Sequence, residues 1–313
     1  MRSIRKVIPA VVIALSFPCS AAEVDIYLLG GQSNMQGIGK ITALGEDAPR
    51  TIPHTYFFTS ADFEPLVLGE TQTSTRAGEF GPEIGFALEV ARRDRPIYMV
   101  KYHQSGMPLH HGWNGGAWVG GAPASSRRNF YPGIREDDEN QGVLYRKMLI
   151  RFRKAIRKLE EDGHTPAIKG LVWMQGEQDS KHKESAIAYA ANLKRLQLRL
   201  GEDLGVRGNL PLVYGQVLPY GPAAARFTHR DEIRRQMAFA DGRSSHELAI
   251  PNARMVSTDT ISLRRDKVHY DARGQLQLGR DFGRALKDLL AKPKRAEQGA
   301  ADKESARHEL KAE

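Results

Sequence analysis

Five short runs of β-branched and aromatic residues, separated by stretches of helical spacing, leave few folds open to this chain. The runs are Val24–Gly30 (VDIYLLG), Pro96–Tyr102 (PIYMVKY), Ile168–Met174 (IKGLVWM), Pro211–Val217 (PLVYGQV) and Ala253–Asp259 (ARMVSTD). Residues of these kinds favour strands. Between them, Pro82–Arg93, Gln141–Asp162, Ser185–Leu200 and Arg273–Leu290 place apolar residues three and four apart, the spacing of an amphipathic helix. Strands that alternate with helices predict an α/β chain with a parallel sheet covered on both faces. The expected architecture is a three-layer α/β/α sandwich of flavodoxin-like order, with a central five-stranded parallel sheet. Ligands of such sheets bind outside the carboxyl ends of the strands, so residues that follow a strand carry the most weight.

Two regions stand outside the alternation. Residues 105–140 are rich in Gly, Trp, His and Asn (GMPLHHGWNGGAWVGG), as expected of a loop insertion over one face, where Trp113 and Trp118 would either stack on a ligand or pin the loop to the core. Residues 292–313 are almost wholly polar and predict a disordered tail or frayed helix. At the other end, Arg2, Arg5 and Lys6 precede an apolar run, Val7–Phe17, and the small residues Ser20, Ala21 and Ala22. That is the pattern of a cleaved secretory signal over residues 1–22, too short to span a bilayer comfortably. The main domain then covers 23–291, and the protein is expected to be periplasmic or secreted, without stable membrane insertion. Removing the three basic residues lowers the formal charge from +9 to +6. The remaining basic residues are interspersed with acids, which argues against nucleic acid as a partner. The only cysteine, Cys19, lies inside the signal and follows Pro18, which disfavours a lipid anchor. The mature chain then has no disulfide, thiolate or cysteine-ligated metal.

The first strand ends in GGQSNMQG, Gly30–Gly37. Serine attacks an acyl carbon only with a base nearby. From the stretch alone, Ser33 is as well read as a turn residue as a nucleophile, with Gly30 and Gly31 keeping space open around it. Among the ten histidines, His269 stands out in RRDKVHYDARGQ, between the last strand and the last helix. Asp266, three residues before it, is spaced for one tight turn to bring its carboxylate to the imidazole. Acyl transfer also needs donors for a tetrahedral oxyanion. Gln175 in WMQGEQDS, Gly81 at the head of the helix after FGPE, and the Ser33 backbone N–H are the candidates.

The motifs GQSNM (Gly31–Met35), FGPE (Phe80–Glu83), VKYHQSGMPL (Val100–Leu109), WMQGEQD (Trp173–Asp179) and DKVH (Asp266–His269), taken in order, resemble the SGNH-hydrolase superfamily. Within it, the resemblance is to the sialate O-acetylesterase and carbohydrate esterase family 6 (acetyl xylan esterase) group, over roughly Asp25–Leu290. The resemblance implies a carbohydrate O-acetylesterase that works through an acyl-enzyme with no metal or organic cofactor. Ser33 would be the nucleophile, His269 the base and then the acid, and Asp266 its orienting partner. Ser33, Gly81 and Gln175 would form the oxyanion hole. Glu177, which some relatives are proposed to use as the triad acid, would join Asp179 and Asn34 in a supporting network. The family's Gly-Gly pair after the second strand is replaced here by Ser105-Gly106, and His103 adds an imidazole nearby. His103 and Trp113 are the weaker substrate-binding candidates. Two other readings stand beside this one, a lipase- or thioesterase-like hydrolase of other acyl esters and a non-catalytic exported carbohydrate-binding protein.

Overall fold

A computed structural model describes residues 22–45, 48–221 and 225–291. The expected signal (except Ala22) and the expected tail lie outside the described residues. Seven strands form the main sheet: β1 (Ala22–Gly31), β2 (Thr51–Phe58), β3 (Phe63–Val67), β4 (Ile97–His103), β5 (His164–Met174), β6 (Leu212–Gly215) and β7 (Ala253–Val256). Their order across the sheet is β7-β6-β5-β1-β4-β2-β3. All neighbours are parallel except β2 and β3, which form an antiparallel hairpin.

The five expected strands are therefore contiguous in a seven-stranded sheet, from the β7 edge to β4, in flavodoxin-like order. The expected strand count is corrected by the β2–β3 hairpin at the edge. Its first strand carries Pro53 and a left-handed His54 (φ 53°), and its second carries Glu64 and Pro65. Proline and charge are how edge strands avoid pairing with other chains, and they also erase the apolar signature by which an inner strand is recognised. The inner strands are apolar where both faces are covered: Ile26, Leu28 and Leu29 of β1 and Leu171, Val172, Trp173 and Met174 of β5 are fully buried. Each such side chain contributes roughly 1.5–3 kcal/mol of transfer free energy.

Seven helices accompany the sheet: α1 (Ser33–Gln36), α2 (Pro82–Val90), α3 (Val143–Glu161), α4 (Lys183–Ile187), α5 (Tyr189–Asp203), α6 (Arg230–Ala240) and α7 (Ala272–Ala291). Helix α2 opens with proline in its first turn, where the missing N–H costs nothing. It packs on α7 so closely that a Cβ on Gly279 would lie 2.0 Å from the Pro82 carbonyl oxygen. On the other face, Tyr145 of α3 donates to the Asp203 carboxylate of α5 at 2.6 Å. The expected helix Ser185–Leu200 is divided into α4 and α5, and α6 was not expected.

The sheet order reverses at β1, whose neighbours β4 and β5 come later in the chain. The crevice at such a reversal, beyond the carboxyl ends of the strands, is where a sheet of this kind receives ligands. Ser33 lies there.

Candidate active site

Strand β1 runs directly into the serine turn. Its ladder continues past the strand end on both sides: Gln32 N–H donates to Met174 O at 2.9 Å, and Gln104 N–H to Gly31 O at 3.1 Å. One helical turn follows, closed by the Gln36 N–H donating to Gln32 O (2.8 Å) and the Gly37 N–H to Ser33 O (2.9 Å). At Gly31 (φ 150°) a Cβ would sit 2.0 Å from Met174 O, so only glycine lets β1 leave the sheet here. The glycines before Ser33 thus serve close packing against the end of β5, in place of the open space for an acyl group expected from sequence.

His269 reaches this turn from a tight loop between β7 and α7. Asp266 organises the loop: its Oδ1 accepts the backbone N–H groups of Val268 and His269, both at 2.9 Å. Lys267, between them, adopts a left-handed conformation (φ 56°), which costs a non-glycine residue about 1 kcal/mol and is held by these bonds. The other oxygen, Oδ2, lies 2.9 Å from His269 Nδ1, and His269 Nε2 lies 3.0 Å from Ser33 Oγ. Partial burial pushes the Asp266 carboxyl up. The hydrogen bonds from the His269 backbone, the His269 ring and the Val268 backbone outweigh that and hold it below its ordinary value, ionised opposite the imidazole. The structure thus brings together Ser33, His269 and Asp266, residues as far as 236 positions apart.

Asn34 ties the parts together. Its amide donates to Glu177 Oε1 (2.6 Å) and Val268 O (3.0 Å), and its carbonyl oxygen accepts the Tyr270 N–H (3.2 Å). Glu177 is fully buried, and burial pushes its carboxyl up; its hydrogen bond goes to Asn34, with none to His269. Asp179, also fully buried, accepts the N–H groups of Leu109 and His110 at 2.9 and 3.0 Å and the Gln175 amide at 2.6 Å. Burial pushes its carboxyl up to about 6. It clamps the 105–140 insertion onto the segment that follows β5.

Two expected oxyanion donors lie elsewhere. The Gln175 amide is engaged by Asp179 and by Met107 O (3.1 Å), and the Gly81 N–H by Glu83 Oε1 (2.8 Å). Neither residue lines the cavity of about 160 Å³ at Ser33, which is bordered by Gln32, Ser105, Gly106, Lys181 and His269 among others. The lining groups without a protein acceptor among the described residues include the backbone N–H groups of Ser33 and Gly106, the Gln32 amide and the buried Gln178 amide. Gln32 Oε1 is anchored by Gln175, Gly176 and Gln178 at 3.3–3.5 Å, which fixes which end of the amide is left for a ligand. The FGPE and QGEQD segments hid this, because Glu83 and Asp179 lie only two and four residues from the donors they consume, and packing decides which way their carboxylates turn.

The remaining expectations resolve by burial. Trp113 is 4% exposed and donates its indole N–H to Ser185 Oγ at 3.0 Å, so it pins the insertion and offers no face to a sugar. Trp118 stacks on His182 at 3.7 Å between ring centroids. His103, the last residue of β4, lines a neighbouring groove and is absent from the cavity at Ser33. Among the described residues, no cluster of three His, Cys, Asp or Glu side chains has the geometry to hold a metal ion, and no helix is long and apolar enough to cross a membrane.

Beneath the serine turn lies a buried ion pair. Lys101 Nζ donates to Glu83 Oε2 at 2.6 Å and to Gln36 O at 3.1 Å, and both side chains are essentially without solvent. Burial pulls the ammonium down, and the Glu83 carboxylate offsets part of that. The pair links β4, the head of α2 and the end of the serine turn. Lys101→Met is therefore expected to lose about 3–5 kcal/mol of stability in urea unfolding, because it strands a buried carboxylate. Adding Glu83→Leu should restore most of the loss; a double variant as unstable as the single one would contradict this account of the pair.

Comparisons with known proteins agree with this fold. A family model described as carbohydrate esterase, sialic acid-specific acetylesterase, matches residues 23–288. No curated protein matches the chain. Among solved structures, the chain is similar to a protein from Arabidopsis thaliana, at 20% identity and TM-score 0.59, over 84% of this chain and 98% of that one. It is similar to NanS at 16% identity and TM-score 0.54, over 87% and 99% of the two chains. It also resembles a carbohydrate acetylesterase from Xanthomonas citri at 18% identity and TM-score 0.52, over 85% of this chain and 56% of that one. At these identities the likeness is one of fold.

Proposed function

Because the chain belongs to the carbohydrate esterase family of sialic acid-specific acetylesterases, we propose that it removes O-acetyl groups from a carbohydrate through Ser33, His269 and Asp266. The observation that carries this reading is the continuous line of contacts from Asp266 Oδ2 to His269 Nδ1 (2.9 Å) and from His269 Nε2 to Ser33 Oγ (3.0 Å). The ionised Asp266 holds the proton on Nδ1, which leaves Nε2 free to accept one. Ser33 Oγ attacks the acetyl carbonyl carbon as its proton passes to Nε2. The oxyanion that forms is met by the Ser33 and Gly106 N–H groups and the Gln32 amide. The C–O bond to the sugar breaks, and His269 protonates the leaving sugar oxygen. Water then attacks the acyl-enzyme, gives its proton to His269, and releases acetate and the free serine.

Glu177 and Asp179 act in this scheme by position: Glu177 holds Asn34, and Asp179 holds the insertion whose start, Ser105–Gly106, borders the cavity. The export suggested by the N-terminal pattern remains part of the proposal and is checked by N-terminal sequencing of the exported protein.

The small volume of the cavity at Ser33, about 160 Å³, suits a two-carbon acyl group. It speaks against the lipase- or thioesterase-like alternative, since a long acyl chain needs an extended apolar channel, and the apolar side chains here are Phe227 and Val268 alone. A series of 4-nitrophenyl esters tests the point. The ratio kcat/KM is expected to fall at least about tenfold from acetate to butyrate, since each misfitting methylene is worth about 1–3 kcal/mol. A preference for octanoate over acetate would reverse the reading. Acetate release from a panel of acetylated glycans tests the carbohydrate part directly.

A further inference from the structure

A larger groove, of about 530 Å³, lies beside the cavity at Ser33. It opens at the carboxyl ends of β2 and β4, on the same edge of the sheet. Strand β4 pairs with β1 so that His103 stands opposite Gly31, two residues before Ser33. The segment His103–Gly106 divides the two depressions: His103 lines the groove, while Ser105 and Gly106 line the catalytic cavity. Three residues of extended chain span about 10 Å, so an ester held at Ser33 has the groove as its immediate neighbour.

The groove is built for hydroxyl groups. Buried Phe57 forms part of its floor. Around it stand the Glu70 carboxylate, the Thr73 hydroxyl and the His103 ring, which make no hydrogen bonds to the described residues. Arg151 commits Nε to Lys101 O and Nη2 to Phe58 O and Thr59 O, so its plane is fixed with Nη1 left over as a donor. The charges nearly balance. Glu64, Glu70 and Arg151 share the lining, Lys101 is paired with Glu83, and His103 is held uncharged by burial and by nearby Lys101 and Arg151, which pull it down to about 3. A polar, nearly neutral lining with donors and acceptors side by side matches a neighbouring pair of sugar hydroxyls better than it matches an anion.

We propose that this groove is a subsite for an uncharged sugar residue of the acetylated glycan, flanking the residue whose acetyl group is at Ser33. The proposal rests on the carbohydrate-esterase reading above and adds to it where the polymer continues. Neither Glu70 nor Ser60, a groove residue at its exposed rim, is part of the catalytic line. Ser60→Trp would fill the groove, and Glu70→Ala would remove one acceptor from it.

The test uses the native chain and these two variants on acetylated xylose- and glucose-based mono- and disaccharides, with 4-nitrophenyl acetate as the reference ester. In the native chain kcat/KM is expected to rise about tenfold from acetylated mono- to disaccharide, the gain of one or two hydrogen bonds to charged groups. Ser60→Trp should abolish that rise. Glu70→Ala should lower the ratio of disaccharide to reference activity by about tenfold, through KM. Equal rates on mono- and disaccharides in the native chain would overturn the groove proposal and leave the carbohydrate esterase standing. So would variants that reduce glycan and reference activity by the same factor. A native chain that cleaves 4-nitrophenyl acetate and no acetylated sugar at all would overturn the carbohydrate reading, and the groove proposal with it.

Discussion

Ser33→Ala is expected to cut the hydrolysis of 4-nitrophenyl acetate by at least about 10⁴-fold in kcat, with KM little changed. The side chain lost is the proposed nucleophile: Ser33 Oγ is 3.0 Å from His269 Nε2 and borders the cavity. The oxyanion donors proposed here survive the substitution, so a small residual rate above water is expected from them alone. Stability should change by no more than about 1 kcal/mol, the worth of one hydrogen bond. Two measurements close the argument. A fluorophosphonate should label the native chain on the peptide that contains Ser33 and leave the variant unlabelled. If the variant keeps a rate within tenfold of the native chain, the nucleophile is another residue and the proposed mechanism fails.

Asp266→Asn is expected to cost about 10³–10⁴ in kcat, and Glu177→Gln less than about tenfold. An asparagine at 266 keeps one oxygen for the N–H groups of Val268 and His269, but presents an NH₂ group to Nδ1 of the ring. The ring then carries its proton on Nε2 and no longer accepts from Ser33. A glutamine at 177 still has an oxygen for the Asn34 amide, which is the hydrogen-bonded contact the carboxylate makes. Parallel kcat measurements on both variants decide between the two acids. The reverse outcome, a nearly active Asp266→Asn and a dead Glu177→Gln, would move the orienting role to Glu177.

The five expected strands were legible because stretches covered on both faces must be apolar, as Ile26–Leu29 of β1 and Leu171–Met174 of β5 are. The β2–β3 hairpin was not, because Pro53, His54, Glu64 and Pro65 are what an edge requires. Helix α6 did carry a readable signal in Ile233, Met237 and Ala240, which recur at four and three residues and are all buried. At the site, Ser33, His269 and Asp266 stood out because their chemistry depends on residue type and, for the last two, on local spacing. Of the oxyanion donors proposed here, only the Ser33 N–H did. Two of the three proposed here are backbone N–H groups, which residue type barely marks. The expected donors Gly81 and Gln175 are consumed by Glu83 and Asp179, carboxylates whose orientation is decided by packing. Trp113 shows the same limit: an indole in a glycine-rich loop reads alike whether it faces a ligand or a buried serine.

The placement of β1 at the centre of the sheet bears on how the chain acquires activity during synthesis. The first strand to emerge has its two partners 66 and 133 positions beyond its last residue, Gly31, where β4 and β5 begin at Ile97 and His164. It can pair with nothing until they arrive. The base arrives later still, since His269 lies beyond β7, the last strand, and just ahead of α7, which packs on α2. A ribosome that has made five-sixths of this polypeptide therefore carries a complete nucleophile turn and no means of deprotonating it. Under the proposed mechanism, catalytic competence waits for the C-terminal part of the fold, and a product that ends before His269 is inert as an esterase.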